Sequence, residues 1–229
     1  MPGADQTRTS ILNAAEIAFA AKGFDVVSLR EIAAKARVPL GLIIYHFRSK
    51  EKLFIAVVGR RADELNARRR DALEALTSEE RKSVEKIIDA FLRPYLELML
   101  HDGPGWRAYG RLIAWAPSQR WMKLFAWQFK ENAHLFTDAM IAADRRLTPE
   151  LAARGYVHLV YVMVGLFAAN DNLEMLFDGD YTSRDLKHSY ECALPFLTGA
   201  FQALVTAGDI TPSGKHKTLP KPRKRLIPI

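Results

Sequence analysis

Ser28-Leu29-Arg30-Glu31-Ile32-Ala33-Ala34-Lys35-Ala36-Arg37-Val38-Pro39-Leu40-Gly41-Leu42-Ile43-Ile44-Tyr45-His46-Phe47-Arg48-Ser49-Lys50 is the stretch whose reading decides the fold. Ser28 has the short hydroxyl of a helix N-cap, and Glu31 three residues on completes a capping box. Val27 before the cap and Ile32 after it form a hydrophobic staple. The helix that follows is short, because Arg37-Val38-Pro39 breaks it. Proline is tolerated at a helix start and not inside one. A third helix is therefore predicted from about Pro39 to His46 or Phe47. Arg48-Ser49 turns the chain, and Ser49 caps a fourth helix beginning at Lys50.

Upstream, Ile11, Leu12, Ala15, Ala18 and Phe19 recur at three- and four-residue spacing, which predicts a first helix over 9–22. Gly23 follows where a left-handed cap is wanted, and Phe24 packs back onto the last turn. Three short helices with a tight second-to-third connection are the helix-turn-helix arrangement. Its demands are met in order. The start of helix two offers free N–H groups with Ser28 and Arg30 near phosphate. The third helix is short enough for the major groove, and Arg48, Lys50 and Lys52 flank it with charge.

Downstream the period stays helical. The fourth helix runs through Leu53, Phe54, Val57, Leu65 and Leu73, and Thr77 with Glu80 is a second capping box. Val84, Ile87, Ile88, Phe91, Tyr95, Leu98 and Met99 mark a helix over 81–101, which Asp102-Gly103-Pro104-Gly105 interrupts. Further helices are expected over 106–115, 118–147, 149–177 and, capped by Ser183, to Gly208. No strand pattern is seen. The fold class is all-α: an N-terminal helix-turn-helix head over 1–55 and a larger helical body over 56–208. A basic, Pro-rich tail over 209–229 holds Lys215, Lys217, Lys221, Arg223, Lys224 and Arg225 and is expected to stay unfolded.

With 49% hydrophobic and 26% charged residues, the composition supports a packed core and not a disordered chain. The net charge of +7 favours polyanionic partners, although solvation alone produces such a balance. Cys192 is the single cysteine, so no intramolecular disulfide forms, which fits a reducing cytoplasm. No signal peptide is read at the start. The most apolar stretch, 157–169, is shorter than a membrane-spanning helix. No membrane partner, metal or cofactor is expected. A Ser/His/Asp order, a phosphate-binding Gly-rich loop and a paired-carboxylate motif are all missing, so an enzyme is not expected.

The ordered set over 11–57 resembles the DNA-binding head of the TetR family. It is carried by Ile11-Leu12-Asn13-Ala14-Ala15, Phe19-Ala20-Ala21-Lys22-Gly23-Phe24, Ser28-Leu29-Arg30-Glu31-Ile32-Ala33, Gly41 and Tyr45-His46-Phe47-Arg48-Ser49-Lys50-Glu51-Lys52-Leu53. The resemblance covers about the first quarter of the chain. It implies that Lys50 and Ser28 contact phosphates, and that Tyr45 and His46 reach backbone and base edges. Arg30, Arg37, Pro39, Leu40, Gly41, Leu42 and Arg48 complete the candidate DNA-binding set. The sequence also departs from the family pattern. Arg37 stands where the family often has glycine, and Pro39 where it has a polar residue. The family tyrosine falls at Ile44, with the aromatic here shifted to Tyr45. Leu40 and Leu42 replace polar base-facing residues, so contacts to thymine methyls or a polar reading by Arg37 are the alternatives. Arg37 is equally readable as a solvated turn residue, and Tyr45 as core. Phe47 is read as core.

For the body, the resemblance implies a ligand-binding and dimerising domain. Its last two long helices would form a four-helix interface using Leu159, Val162, Leu166, Leu194, Phe196, Leu197 and Phe201. Candidate ligand-lining residues are Phe91, Tyr95, Trp106, Tyr109, Trp115, Trp121, Phe125, His134, Phe167 and Asn170, with Arg107 and Arg111 as further polar candidates. Ordinary core packing accounts for aromatic residues equally well. The expected function is a homodimeric, sequence-specific transcriptional regulator. It acts as a repressor released from a palindromic double-stranded operator by a small, largely apolar or aromatic effector. The alternative is a DNA-binding protein without such an effector, controlled by a protein partner or acting architecturally.

Overall fold

The computed structural model describes residues 4–101, 104–114, 119–168 and 171–206, and gives the backbone alone for Ala4, Pro104 and residues 119–126. Among them every regular element is a helix. They are α1 (Ala4–Lys22), α2 (Leu29–Ala36), α3 (Leu40–Phe47), α4 (Lys50–Glu74), α5 (Val84–His101), α6 (Pro104–Ala114), α7 (Gln119–Ala143), α8 (Pro149–Phe167), α9 (Asn172–Leu176) and α10 (Leu186–Thr206). The tail lies outside the described residues.

The head closes around Ile11, Ala15, Phe19, Val27, Ile32, Ile43, Phe47, Leu53 and Phe54, all buried. Phe19, Phe24 and Phe54 meet ring to ring, with centroids 5.1–5.8 Å apart. Ser28 caps α2 through the Glu31 amide at 3.1 Å. The other half of the predicted box does not form. The Glu31 carboxylate instead accepts from Lys22 Nζ at 2.7 Å and ties the end of α1 to the start of α2. α1 begins at Ala4, earlier than its apolar face alone marks.

α4 leaves the head and runs into the body, where α5, α7 and α6 pack around it and α10 closes over α5 and α8. α1 packs on α6, so the head also touches the body directly. The Thr77–Glu80 box forms reciprocally, with the Thr77 amide donating to Glu80 at 2.9 Å and the Glu80 amide to Thr77 at 3.3 Å. It opens only a 3-10 turn, Glu80–Lys82, before Ser83 and α5.

Two expected helices differ. The 149–177 helix ends at Phe167, and a separate short α9 follows. Ser183 does not cap α10, because its hydroxyl is given to Glu174. Asp185 accepts from the His188 amide at 3.0 Å in its place. Together with Thr182, Ser183 holds the Glu174 carboxyl down at about 2.

Gly155 lets α8 and α10 close. A Cβ there would lie 2.6 Å from the Phe201 ring. Phe201 is therefore buried inside the subunit, as are Leu159 and Leu197, and not at its surface as the interface reading expected.

Candidate functional site

α3 buries Ile43 and Phe47 against the head and turns Gly41, Leu42, Ile44 and Tyr45 outward. Tyr45 is 68% exposed, so it is free of the core. Leu40 and His46 are half-buried at the edges of this face, and Tyr45 and His46 rings meet at 5.2 Å. Ile44 was not among the expected contacts, yet it stands exposed beside Tyr45. One residue on from buried Ile43 it is turned about 100° around the helix, to the edge of the core stripe, and its 46% exposure places it on the outer face.

Around this face stand Arg30, Arg37 and Arg48, exposed and without an acidic partner among the described residues. Pro39 is exposed and precedes the helix with φ −59°, supplying no side-chain cap. Ser28 remains exposed while capping α2. Lys50 is half-buried. Its ammonium donates to the Val27 carbonyl at 2.7 Å and to Asp25 at 3.3 Å, and lies 4.4 Å from the Phe24 ring centroid. An ammonium has three donors, so one remains for a phosphate.

Arg37 and Arg48 have φ of 56° and 64°. At Arg37 the left-handed residue ends α2, with its amide reaching back to Ala33 and Ala34 carbonyls. Side chains resist this conformation and glycine does not. Arg37→Gly relieves about 1–2 kcal/mol of left-handed strain against about 0.5–1 kcal/mol of extra backbone entropy. Folding stability is therefore expected to rise by about 0.5–1 kcal/mol, read as a higher midpoint in urea. A lower midpoint would mean that the arginine side chain holds the turn together.

In the body, Phe91, Tyr95, Trp106, Tyr109 and Phe167 come together and are buried. Tyr95 lies 4.8 Å from Phe167, and Trp106 lies 5.5 Å from Tyr109. Phe91 meets Phe136 at 5.1 Å and Tyr156 at 5.3 Å. His134 is not brought to this cluster and sits exposed on α7, and Arg107 and Arg111 are also exposed. Trp115 and Asn170 lie outside the described residues, as do the side chains of Trp121 and Phe125.

Two charged groups that the sequence reading passed over are buried here. Glu16 of α1, 2% exposed, accepts from Arg61 Nε at 2.8 Å and Nη2 at 3.0 Å and from Arg60 Nη2 at 3.2 Å. The Arg61 guanidinium also covers the Trp106 ring at 4.9 Å. Burial pulls both arginines down in pKa. The paired hydrogen bonds to Glu16 outweigh it for Arg61, which is raised, and the single longer one does not for Arg60, which is lowered.

The second group is Arg69, 1% exposed. Its Nε donates to the Phe91 carbonyl at 2.9 Å, in the turn of α5 before Pro94, and its guanidinium covers the Phe91 ring at 3.7 Å. Nη2 reaches the thioether of Met163 at 2.8 Å. Burial lowers Arg69 to about 10, with Tyr156, Tyr109 and Tyr95 near enough to oppose the shift. The same burial raises all three phenols. Arg69 therefore stays charged at neutral pH, with no carboxylate partner among the described residues. Its signal was present: Leu65, Arg69 and Leu73 fall at four-residue spacing, on the buried stripe of α4.

α8 is long and apolar enough to cross a membrane, by length and composition only, and a third of that window is buried. Its exposed face carries Val157 and Tyr161. On α10, which packs against α8, Phe196 is 67% exposed.

Comparison with known proteins agrees with both halves. The family model for bacterial regulatory proteins of the tetR family matches residues 11–57, and that for the tetracyclin repressor-like C-terminal domain matches residues 89–200. The HTH-type transcriptional activator FasR of Mycolicibacterium smegmatis is 32% identical over 103 residues, 45% of this chain and 45% of FasR. The chain thus spans less than half the length of the curated relatives it matches. In fold, it superposes on the regulator FadR of Bacillus subtilis, solved with stearoyl-CoA, with a TM-score of 0.58 at 14% identity, covering 91% of this chain and 99% of that one. For AibR, solved with isovaleryl-CoA and operator DNA, the TM-score is 0.59 at 16% identity, covering 84% and 98%. A helix-turn-helix head matched by one family model and a helical body matched by another make this chain a member of the TetR family of transcriptional regulators.

Proposed function

We propose that the protein is a homodimeric repressor that a small effector, bound in the body, releases from a palindromic operator. The observation that carries the DNA half is α3 itself. It spends two side chains on the core and turns an apolar face outward, ringed by Arg30, Arg37, Arg48 and the Lys50 ammonium. A surface with uncompensated cations around an apolar ridge suits a groove flanked by phosphates. Leu42, Ile44 and Tyr45 reach thymine methyls and sugar edges, and the cations hold the register.

The dimer reading rests on the large exposed apolar side chains of α8 and α10, Val157, Tyr161 and Phe196. Single exposed apolar residues need no explanation, but three large ones on two helices that pack together favour a partner. The effector reading is supported by FadR and AibR, both solved with acyl-CoA thioesters. It is also supported by the route from body to head: Trp106 stacks under Arg61, and Arg61 grips Glu16 of α1.

Lys50→Ala is the test of the head. Binding should weaken on operator and random DNA alike, because a phosphate contact carries little sequence information. The slope of log affinity against log salt should fall by roughly one unit for each phosphate that is no longer neutralised. Fluorescence anisotropy at several salt concentrations reads both. An unchanged slope would show that Lys50 serves only the carbonyls of Asp25 and Val27.

A further inference from the structure

We infer that Arg69, with the hydroxyls of Tyr95, Tyr109 and Tyr156, is a buried receptor for the carboxylate of an apolar organic acid. This rests on the effector reading above and names the chemistry of the effector.

A guanidinium taken out of water is costly unless an anion pairs with it. Arg69 is enclosed by α4, α5 and α8, and among the described residues its hydrogen-bond acceptors are one carbonyl and one thioether. Sulfur is a weak acceptor for so strong a donor. Met163 is unbranched and has three rotatable bonds, so it yields its place at low cost. Its displacement would free Nη2 for a carboxylate oxygen.

The three phenols add neutral donors on the same charge. Tyr95 and Tyr109 are 1% exposed and Tyr156 is 7% exposed. None of the three hydroxyls is hydrogen-bonded to another described residue. Burial keeps them protonated, so they donate to an anion and do not compete with it. One fixed positive charge balances one negative charge. A doubly charged phosphate would leave a net charge in a wall made of Phe91, Phe136 and Phe167, whereas a carboxylate leaves none. The apolar walls then require an apolar body behind the carboxylate.

The site also lies on the route to the head. Arg69 shares α4 with Arg61, and Tyr95 and Tyr109 pack on Trp106. Moving Met163 and reseating these rings shifts the support under Arg61 and Glu16.

The test uses the full-length protein and a series of straight-chain acids from propionate to stearate, with benzoate and phenylacetate. Each is paired with its primary amide. Thermal shift and isothermal titration read binding, and anisotropy reads release of bound DNA. At least one acid should raise the melting temperature, and its amide should bind roughly ten- to a hundredfold more weakly, the worth of a charge-assisted hydrogen bond. Arg69→Met should lose acid binding by the same factor while melting no lower than the unliganded wild type. A structural arginine would instead lower the melting point on removal. If the variant does not fold, the acid–amide pair on the wild type decides alone.

The carboxylate site is overturned if no acid raises the melting temperature, if amides match their acids, or if Arg69→Met binds the acids as the wild type does. Sulfate matching the acids would overturn it too, by showing a hole for any anion. Amides or acyl-CoA thioesters releasing DNA where acids do not would leave effector sensing standing and remove this site alone. Acids that bind without releasing DNA would keep the site and remove the release mechanism.

Discussion

Phe201→Asp is expected to leave no folded protein, whereas Phe196→Asp on the same helix is expected to give a folded monomer. Phe201 is 2% exposed and its ring fills the space over Gly155, where even a methyl would collide. Truncating a buried phenylalanine costs about 3–5 kcal/mol. An unpaired buried carboxylate adds to that. The sum reaches the ~5–15 kcal/mol that holds a typical domain together. Phe196 faces outward and contributes little to its own subunit. In the proposed dimer an aspartate there would face the partner's apolar side chains, and two-fold symmetry would repeat the charge. Circular dichroism melting and sedimentation separate the two cases. A dimeric Phe196→Asp would place the interface elsewhere on the molecule.

Removing the carboxylate that joins head to body is expected to have the second large effect. Glu16→Ala leaves Arg60 and Arg61 facing each other without their hydrogen-bonded counter-charge, with Glu64 as the acidic group that still acts on both. Breaking a buried ion pair from one side costs about 3–5 kcal/mol. These arginines are 29% and 18% exposed, so partial hydration should reduce the loss to about 2–4 kcal/mol. A urea midpoint reads it. The surviving folded fraction should bind DNA with its affinity largely kept, because Glu16 is remote from α3. Its response to effector should shrink, because α1 no longer follows Arg61 and Trp106. Full stability loss with undiminished release would make Glu16 a structural clamp and nothing more.

The head was legible because its signals are local. Ser28 and Pro39 set the limits of α2 and α3 through hydrogen bonding and ring geometry that act within a few residues. Glycine's usual place at 37 was readable as a left-handed position, and the arginine there adopts that conformation. The body was less legible, because tertiary packing decided it. Asn170-Asp171-Asn172 offered a local stop signal just past Phe167, but Leu173, Leu176 and Phe177 beyond it keep helical spacing and masked it. Ser183 and Asp185 both offer caps, and Glu174, nine residues upstream of Ser183, settled the choice. Phe201 falls at helical spacing with buried Tyr190, Ala193 and Leu197, whereas Phe196 falls off that stripe, and Gly155 makes the room that Phe201 fills.

The two buried charges went unremarked for different reasons. Arg69 sits within Arg68-Arg69-Arg70, which looks like a solvated run, and Glu16 finds its arginine partners more than forty residues away. Helical spacing places each on a buried stripe, since Leu65 and Leu73 flank Arg69 and Leu12 and Phe19 flank Glu16. Asn66 shares the α4 stripe and is also buried, donating to the Gln128 carbonyl at 2.8 Å.

Selection of bound DNA from a random pool, followed by affinity measurement on the enriched sites, tests the central claim most directly. A dimer presenting two copies of α3 should enrich palindromes whose half-sites lie one helical turn apart, ~34–36 Å, or a multiple of it. Scrambling one half-site should cost at least tenfold in affinity. Enrichment of sequences without dyad symmetry, or equal affinity for selected and random DNA, would contradict the account.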